Sequence, residues 1–191
     1  MGLIHFLQEF VANPATTGAI APSSRALASE MVQGIGLDRA AAVLEYGPGT
    51  GAFTSTILGT INPSCKFVAI ELNPRFVEQF RKQFPLVALY NGSVAEARRV
   101  CDHYQIEMVD AIVSGLPWAT FGRQLQEKIL NEMMRVLKPG GRFVTFGYVH
   151  GLLLPPAQNF AKLLPRYFSE VRRSRIVWNN LPPAFVYRCK R

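Results

Sequence analysis

The sequence predicts an α/β protein with a doubly wound, mostly parallel seven-stranded sheet and an antiparallel last strand, a Rossmann-like fold. Short β-branched and apolar runs alternate with amphipathic helical patterns along most of the chain. This alternation is typical of parallel strands covered by helices on both faces. The last two runs are joined by 179–183, which is too short for a helical crossover, so we expect them to pair as an antiparallel hairpin.

Each element follows from the local pattern. A helix is expected at 2–11, where an apolar stripe ends before Pro14, and a second begins at Ser23 or Ser24 as its cap. The predicted strands are 42–46, 66–71, 86–90, 109–114, 141–147, 170–178 and 184–190. The predicted helices between them are 51–59, 75–84, 94–103, 123–137 and 157–164. We expect one domain over 1–191, with a helical lid segment at 1–36 and a Rossmann-like core at 37–191.

Positive charge is concentrated in the last part of the chain. The net charge is +8, and residues 151–191 hold eight of the 21 Lys and Arg residues but only one of the 13 acids. Aromatic residues are frequent in the same segment. This combination predicts contact with an anionic membrane surface or with a nucleic-acid backbone, and a solvated basic face is the alternative.

The cysteines and histidines do not form a metal-binding pattern. Cys65, Cys101 and Cys189 are too far apart for paired ligand spacing, and the three histidines are equally scattered. We therefore expect reduced thiols and no metal. The N-terminus lacks a basic region followed by a long apolar run, and no segment reaches transmembrane length, so a cytoplasmic location is expected.

A glycine-rich turn after the first core strand predicts a cofactor site. Gly47, Gly49 and Gly51 permit a tight turn and a close approach of the backbone to a ligand, and a helix follows. The turn also fits a loose dinucleotide pattern, but Glu45 lies just before it, where a carboxylate would repel a pyrophosphate. S-adenosylmethionine (SAM) has no phosphate and carries an ammonium group that an acid can pair with. We therefore expect SAM.

The ends of the next strands place more polar groups at the same edge of the sheet. Glu71 ends the second core strand, where a carboxylate can accept hydrogen bonds from both ribose hydroxyls. Ser93 follows the third strand as a neutral substitute for an acid at the adenine amino group, and Ser114 ends the fourth strand. The alternative for Glu45 and Glu71 is that they are ordinary acids at strand ends.

The segment 114–118 is expected to hold the methyl acceptor. An amine acceptor needs hydrogen-bond acceptors for its N–H groups and surroundings that tolerate positive charge on the product. The backbone carbonyls of Gly115 and Leu116 meet the first need. The ring faces of Trp118 and Tyr148 meet the second through cation–π attraction, worth about 0.5–2 kcal/mol per ring. A stiff loop with a packed aromatic residue is the alternative.

Five motifs extend this pattern along nearly the whole chain. They are Thr-Gly-Ala-Ile-Ala-Pro-Ser-Ser at 17–24, Glu-Tyr-Gly-Pro-Gly-Thr-Gly at 45–51, Ile-Glu-Leu-Asn-Pro at 70–74, Ser-Gly-Leu-Pro at 114–117 and Trp-Asn-Asn-Leu-Pro-Pro-Ala at 178–184. Together they resemble the bacterial phospholipid N-methyltransferases, which methylate phosphatidylethanolamine stepwise toward phosphatidylcholine. The resemblance implies the class I methyltransferase fold, SAM as the cofactor and S-adenosylhomocysteine as its product.

The resemblance also implies roles for individual residues. It assigns cofactor contacts to Glu45, Gly47, Gly49, Glu71, Leu72 and Ser93, in addition to the strand-end Ser114. It places Thr17, Ala19 and Ser23 on a segment that covers the cofactor. The implied substrate is a phospholipid, and we expect a monomer attached peripherally to the inner face of the membrane.

Two other functions compete with a lipid methyltransferase. The related ribosomal RNA adenine dimethyltransferases carry Asn-Leu-Pro-aromatic after the fourth strand, and Gly115 stands here in place of that Asn. The amide that would hold an adenine amino group is missing, which counts against a nucleic-acid partner. The alternatives are a methyltransferase for ribosomal RNA adenine or a small amine, and a non-catalytic SAM-binding protein at membranes.

Overall fold

One seven-stranded sheet organises the protein, and the computed structural model describes residues 23–191 of it. The helix expected at 2–11 lies outside the described residues. The strand order is β3-β2-β1-β4-β5-β7-β6. The strands are β1 (Ala42–Tyr46), β2 (Lys66–Glu71), β3 (Ala88–Asn91), β4 (Val109–Ser114), β5 (Leu137–Tyr148), β6 (Glu170–Arg173) and β7 (Ala184–Lys190).

The pairing of these strands confirms the predicted fold class. Strands β1 to β5 are each parallel to their neighbours among them. Strand β7 runs antiparallel to both β5 and β6, as the short connection before it predicted. The sheet is therefore doubly wound and mostly parallel, with an antiparallel last strand.

Helices cover both faces of the sheet. They are α1 (Arg25–Val32), α2 (Thr54–Leu58), α3 (Pro74–Gln83), α4 (Ala97–His103), α5 (Arg123–Val136) and α6 (Pro155–Tyr167). Successive side chains of a strand point to opposite faces, so Val43 packs in the core with α1 and α2, and Leu44 packs in the core with α4, α5 and α6. None of the helices described for residues 23–191 is long and apolar enough to span a bilayer.

Strand β5 begins earlier than predicted because an irregular segment is built into it. Leu137 pairs with Val109, and the register then shifts before Arg142 pairs with Ala111. Between these points Gly140 has a φ of 76°, a left-handed conformation that glycine adopts without strain. Residues 138–140, which separate the predicted helix 123–137 from the predicted strand 141–147, are therefore a bulge inside the strand.

Strand β6 ends at Arg173, earlier than the predicted residue 178, and the cause is Ser174. The Ser174 amide donates to the Val186 carbonyl, at 2.8 Å. The Val186 amide then donates to the Ser174 hydroxyl, at 2.9 Å, instead of to a backbone carbonyl. This replacement ends the ladder, and residues 174–183 form a loop that returns to the sheet through one bridge between Val177 and Ala184.

Two groups on the C-terminal part of the chain fix helix α1 to the sheet. The Asn180 side-chain oxygen accepts from the Ser24 amide, at 2.9 Å, next to the start of the helix. The Arg188 guanidinium donates to the Glu30 carboxylate, at 2.7 Å, and to the Glu30 and Gln33 carbonyls, at 2.6 and 3.0 Å. These carbonyls belong to the end of α1, where a cation is favoured.

The Arg188 contacts should contribute measurably to stability. We expect Arg188→Met to lower the free energy of unfolding by about 2 kcal/mol, since it removes charged hydrogen bonds of a half-buried guanidinium. The matched control is Arg172→Met, because Arg172 faces Arg188 across the ladder but pairs with Glu170 at an exposed position. That change should cost less than about 1 kcal/mol. Urea denaturation measures both, and equal losses would contradict the role given to Arg188.

Candidate functional site

The candidate site forms where β1 ends between β2 and β4. The Gly47 amide donates to the Ile70 carbonyl, at 2.9 Å, and the Gly115 amide donates to the Tyr46 carbonyl, at 2.8 Å. A Cβ atom added at Gly115 would lie 2.6 Å from the Gly47 carbonyl oxygen. Gly47 itself has a φ of 65°. Both positions therefore require glycine, which lets the two loops touch through their backbones.

Two cavities flank this contact. The first, of about 160 Å³, lies toward β2 and β3, and we call it the β2-side cavity. The second, of about 300 Å³, lies toward β5 and α6, and we call it the β5-side cavity. Their shared wall consists of Gly47, Gly49, Phe76, Gly115, Leu116 and Pro117. The cavities are thus two parts of one groove along the carboxyl edge of the sheet, the edge where such folds bind ligands.

Glu71 sets the geometry of the β2-side cavity. Its Oε2 accepts from the Gly49 amide, at 3.1 Å, and its Oε1 accepts from the Asn73 amide, at 2.8 Å. The side chain is 8% exposed, and burial raises the pKa of Glu71. Each carboxylate oxygen keeps a further lone pair for a ligand. Glu71 therefore both fixes the glycine turn and offers acceptors at the cavity wall.

The rest of the β2-side cavity suits an uncharged ring system better than a phosphate. The predicted contacts Leu72 and Ser93 line it, together with the apolar side chains of Ile70, Val94 and Ile129. No Lys or Arg is among the described residues that line either cavity. A pyrophosphate would meet the Glu71 carboxylate without a compensating cation, whereas a phosphate-free nucleoside would not. The chemistry of this cavity fits SAM.

Glu45 lies beneath the turn and lines neither cavity, which differs from the direct contact predicted for it. It is on the same side of β1 as Val43, so its side chain points into the core toward α2. Its Oε2 accepts from the Thr54 hydroxyl, at 2.7 Å, and its Oε1 has no hydrogen-bond partner among residues 23–191. Burial raises the pKa of Glu45 to about 8, and the charge of Glu71 adds to the increase.

Aromatic side chains dominate the β5-side cavity. Tyr148 lies in its wall and stacks on His150, with ring centroids 5.5 Å apart and planes at 16°. The Tyr148 hydroxyl is buried and has no hydrogen-bond partner among the described residues. Burial raises the pKa of Tyr148 to about 12. This hydroxyl is therefore a neutral polar group without a partner in an apolar cavity wall.

Trp118 is more deeply packed than the sequence predicted. It is 2% exposed and stacks on Phe160, with ring centroids 4.3 Å apart. Its indole N–H donates to the Ser114 hydroxyl, at 3.1 Å. Ser114 is fully buried and lines neither cavity, and its hydroxyl positions Trp118. The cofactor contact expected for Ser114 stays a prediction. One face of Trp118 is covered by Phe160, which leaves less of the ring for a cation than expected.

Leu116 lies at the centre of the site, but it takes part through its side chain and not through its backbone carbonyl. It lines both cavities, and its Cδ2 would lie 2.8 Å from a Cβ atom at Gly47. The Leu116 carbonyl, predicted to accept from the methyl acceptor, accepts from the Trp118 amide, at 3.0 Å. The Leu116 side chain therefore separates the two cavities at the point where they meet.

The structure brings most of the predicted site residues into one groove. Those that line it are Ser23, Gly47, Gly49, Glu71, Leu72, Ser93, Leu116, Trp118 and Tyr148. Glu45 and Ser114 lie behind its walls, and Thr17 and Ala19 lie outside the described residues. The residues that the sequence did not indicate are the aromatic lining groups Phe53, Phe76, Phe146, Phe160, Phe185 and Tyr187. In residues 23–191 no group of His, Cys, Asp and Glu is placed to hold a metal ion.

The geometry has counterparts in solved structures. The chain aligns with the O-methyltransferase TomG from Streptomyces achromogenes, solved with SAM, at a TM-score of 0.69 and 14% identity over 99% of this chain and 90% of that chain. It aligns with an O-methyltransferase from Bacillus cereus, solved with S-adenosylhomocysteine, at a TM-score of 0.68 and 13% identity over 98% and 91%. At these identities the similarity establishes the fold.

Sequence comparison establishes the family. Residues 43–141 match the methyltransferase domain family. The whole chain is 30% identical, over 97% of its length and 94% of the relative, to an ornithine lipid N-methyltransferase from Singulisphaera acidiphila. The glycine turn, the acid at the end of β2 and the groove between them are the parts of the molecule that this chemistry needs. The chain belongs to the methyltransferase domain family and is a SAM-dependent methyltransferase of the class I fold.

Proposed function

We propose that this methyltransferase transfers methyl groups to the amino group of a membrane lipid, and that phosphatidylethanolamine is a substrate. The observation that carries the proposal is the 30% identity to a lipid N-methyltransferase along 97% of the chain. The motifs at 17–24 and 178–184 point in the same direction, because they resemble lipid methyltransferases more specifically than the glycine turn does.

The β5-side cavity agrees with a lipid amine as the acceptor. It lies directly across Gly47, Gly115 and Leu116 from the β2-side cavity, so a methyl donor in one would face an acceptor in the other. Its aromatic lining suits a substrate that becomes more cationic with each methylation, because ring faces attract ammonium groups. Most of the side chains in its wall are apolar, so the wall also accommodates the carbon atoms of a lipid head group.

We assign the cofactor to the β2-side cavity and the shared wall. Gly47, Gly49, Leu72 and Ser93 would contact it, Glu71 would accept from its ribose hydroxyls, and Ser23 would close the β5 side of the groove. Thr17 and Ala19 remain predicted contacts. Bound there, SAM supplies a methyl group on a sulfonium centre. Glu45 would act from beneath the turn, through its charge, on the cationic part of the cofactor.

Among the groups that meet the acceptor, Tyr148 has the clearest role. An ammonium must lose its proton before the nitrogen lone pair can attack, and an acceptor then has to orient the remaining N–H bonds. The Tyr148 hydroxyl, which has no hydrogen-bond partner within residues 23–191, can accept one of them. Trp118, held by Ser114 and Phe160, would form the rigid wall behind the amine.

A nucleobase acceptor fits the groove poorly. The position where adenine dimethyltransferases carry Asn is Gly115, and any side chain there would press against the Gly47 carbonyl oxygen, 2.6 Å from its Cβ atom. An amide could be placed at this position only if the glycine turn moved. The site therefore has neither an amide that could hold an adenine amino group nor the space for one at position 115.

Labelled SAM tests the function directly. We expect label to enter phosphatidylethanolamine presented in mixed vesicles, and entry into an ornithine lipid should be measured in parallel because of the relative's activity. Structured RNA and soluble ethanolamine are the competing acceptors. Label in RNA or in free ethanolamine, without label in any lipid, would contradict the proposal.

Glu45 should make cofactor binding depend on pH. With its pKa at about 8, this buried carboxyl is protonated in the free protein at about pH 6.5, where the ammonium group of S-adenosylhomocysteine is still charged. An ammonium nearby stabilises the carboxylate, so binding should release the proton. Affinity should then increase as the pH rises toward about 8 and level off above it. Calorimetry in buffers of different ionisation enthalpy counts the released proton.

Two comparisons isolate the contribution of Glu45. Glu45→Gln should abolish the proton release, since the amide cannot ionise. Adenosine, which lacks the amino-acid part of the cofactor, should bind the wild type without releasing a proton. The interpretation is wrong if Glu45→Gln releases as many protons as the wild type.

Tyr148 should affect catalysis through its hydroxyl. We expect Tyr148→Phe, which keeps the ring, to lower kcat on the order of tenfold to a hundredfold, as for the loss of one buried hydrogen bond in the transition state. Affinity for S-adenosylhomocysteine should stay unchanged. Tyr167→Phe is the matched control, because the Tyr167 hydroxyl donates to Asn131 at an exposed site outside the groove. If Tyr148→Phe is fully active and only Tyr148→Leu is impaired, the ring matters and the hydroxyl does not.

A further inference from the structure

Exposed apolar side chains concentrate on two loops of the protein. Among residues 23–191 the exposed large hydrophobic residues are Leu58, Leu86, Leu153, Leu154, Ile176, Trp178 and Leu181. Five of these seven lie in the segments 149–154 and 174–183. Leu153 is 83% exposed, Trp178 71% and Leu181 79%. Isolated exposed apolar residues are ordinary, but a group on adjoining loops indicates a contact surface.

The two segments are neighbours in space. Segment 149–154 follows β5, and segment 174–183 precedes β7, the strand that pairs with β5 so that Tyr148 lies opposite Ala184. The Val149 amide donates to the Pro183 carbonyl, at 3.0 Å, and joins the two segments directly. We call the surface formed by 149–154 and 174–183 the apolar rim.

The apolar rim borders the acceptor side of the groove. Leu152 and Leu154 line the β5-side cavity, so the rim begins where that cavity ends. The two exposed apolar residues outside the rim occupy the other edge of the sheet. Leu86 precedes the parallel strand β3, and Leu58 ends the helix that returns from β1. A surface that rests on the rim would therefore face the cavity mouth.

The charge beside the rim is positive. Neither segment of the rim contains an acid, and Arg172, Arg173 and Arg175 stand exposed on β6 and directly after it. The Arg173 guanidinium lies 5.2 and 5.0 Å from the ring centroids of Phe185 and Tyr187, two residues that line the β5-side cavity. No carboxylate pairs with it among the described residues. Apolar side chains next to exposed cations are complementary to the interface of an anionic bilayer.

We propose that the apolar rim inserts into the interface of an anionic lipid bilayer, with Trp178 and Leu181 as the leading residues. Trp178 is suited to this depth, because an indole ring is apolar yet keeps an N–H group for the head groups. The arginines beside the rim pair with lipid phosphates, and the β5-side cavity then opens onto the membrane. This inference rests on the proposed function for the substrate, but the docking itself is measured separately.

Intrinsic fluorescence reports insertion directly, because the chain has two tryptophans in opposite environments. Trp118 is 2% exposed and Trp178 is 71% exposed, so a change of emission on adding vesicles comes from Trp178. With vesicles of phosphatidylglycerol and phosphatidylethanolamine we expect a blue shift and quenching by lipids brominated on their acyl chains. Trp178→Phe should remove both signals. A wild-type emission that vesicles leave unchanged would overturn the proposal.

Paired variants test whether the rim carries the binding. Trp178→Ser with Leu181→Ser should reduce the fraction bound to these vesicles on the order of tenfold, since two exposed apolar groups are lost from the contact. Leu86→Ser is the matched control, because Leu86 is 98% exposed at the other edge of the sheet. Equal binding by the double variant and the wild type would overturn the proposal.

The form of the lipid separates docking from catalysis. A short-chain phosphatidylethanolamine dispersed as monomers should be methylated equally by the wild type and the double variant, whereas lipid in vesicles should be methylated much more slowly by the variant. Equal impairment on both forms would mean that the loop shapes the cavity, and would overturn the docking role. A wild type that methylates no lipid in either form refutes the proposed function, while the Trp178 signal still decides the docking.

Nucleic acid is the necessary competitor, because phosphate backbones attract the same arginines. Structured RNA should displace the protein from vesicles only weakly and should not produce the blue shift of Trp178. A blue shift with RNA and none with vesicles would assign the rim to nucleic acid and overturn the proposal.

Discussion

The contact between the backbones of Gly47 and Gly115 is the constraint on which the site depends. With 2.6 Å between a Cβ position at 115 and the Gly47 carbonyl oxygen, there is no room for a side chain at Gly115. The hydrogen bonds from Gly47 to Ile70 and from Gly115 to Tyr46 then lock β1 between β2 and β4 at their ends. In the proposed arrangement the methyl donor and its acceptor would be separated only by this contact and by Leu116, so their distance would be set by packed backbone and not by mobile loops.

Acidic and basic side chains lie at opposite ends of the same groove. Two acids, Glu45 and Glu71, are buried at its inner end, where burial raises the pKa of both and the charge of Glu71 raises the pKa of Glu45 further. The cations, among them Arg173 and Arg175, lie outside the groove, next to its mouth. A cationic cofactor is therefore favoured inside, and an anionic surface is favoured outside. This separation would keep a cationic cofactor and an anionic membrane surface from competing for one site.

The succession of strands and helices along the chain and the positions of Gly47 and Glu71 at strand ends follow from the sequence alone, because local periodicity and turn chemistry determine them. What the sequence did not reveal depends on contacts between distant segments. Ser114 was singled out because it ends β4, and nothing in the local pattern indicates that its hydroxyl accepts from Trp118. Likewise β6 ends early because the Ser174 hydroxyl replaces a backbone acceptor across the ladder. Aromatic lining residues such as Phe160 carry ordinary helix or strand patterns, so periodicity could not distinguish a cavity wall from a core.

The reversal of direction at β7 has a further consequence for how this fold can diversify. Strand β7 begins at the edge of the sheet where the parallel strands end. The loop before it therefore lies next to the groove and not at the opposite edge of the sheet. The β5–β7 ladder from Ala184 to Lys190 pairs no residue of that loop, so the loop can vary in length and composition while this pairing and the glycine turn stay unchanged, provided that Asn180 still holds the start of α1. Exchanging one segment can thus change the surface that the protein meets, and the chemistry of methyl donation is inherited intact.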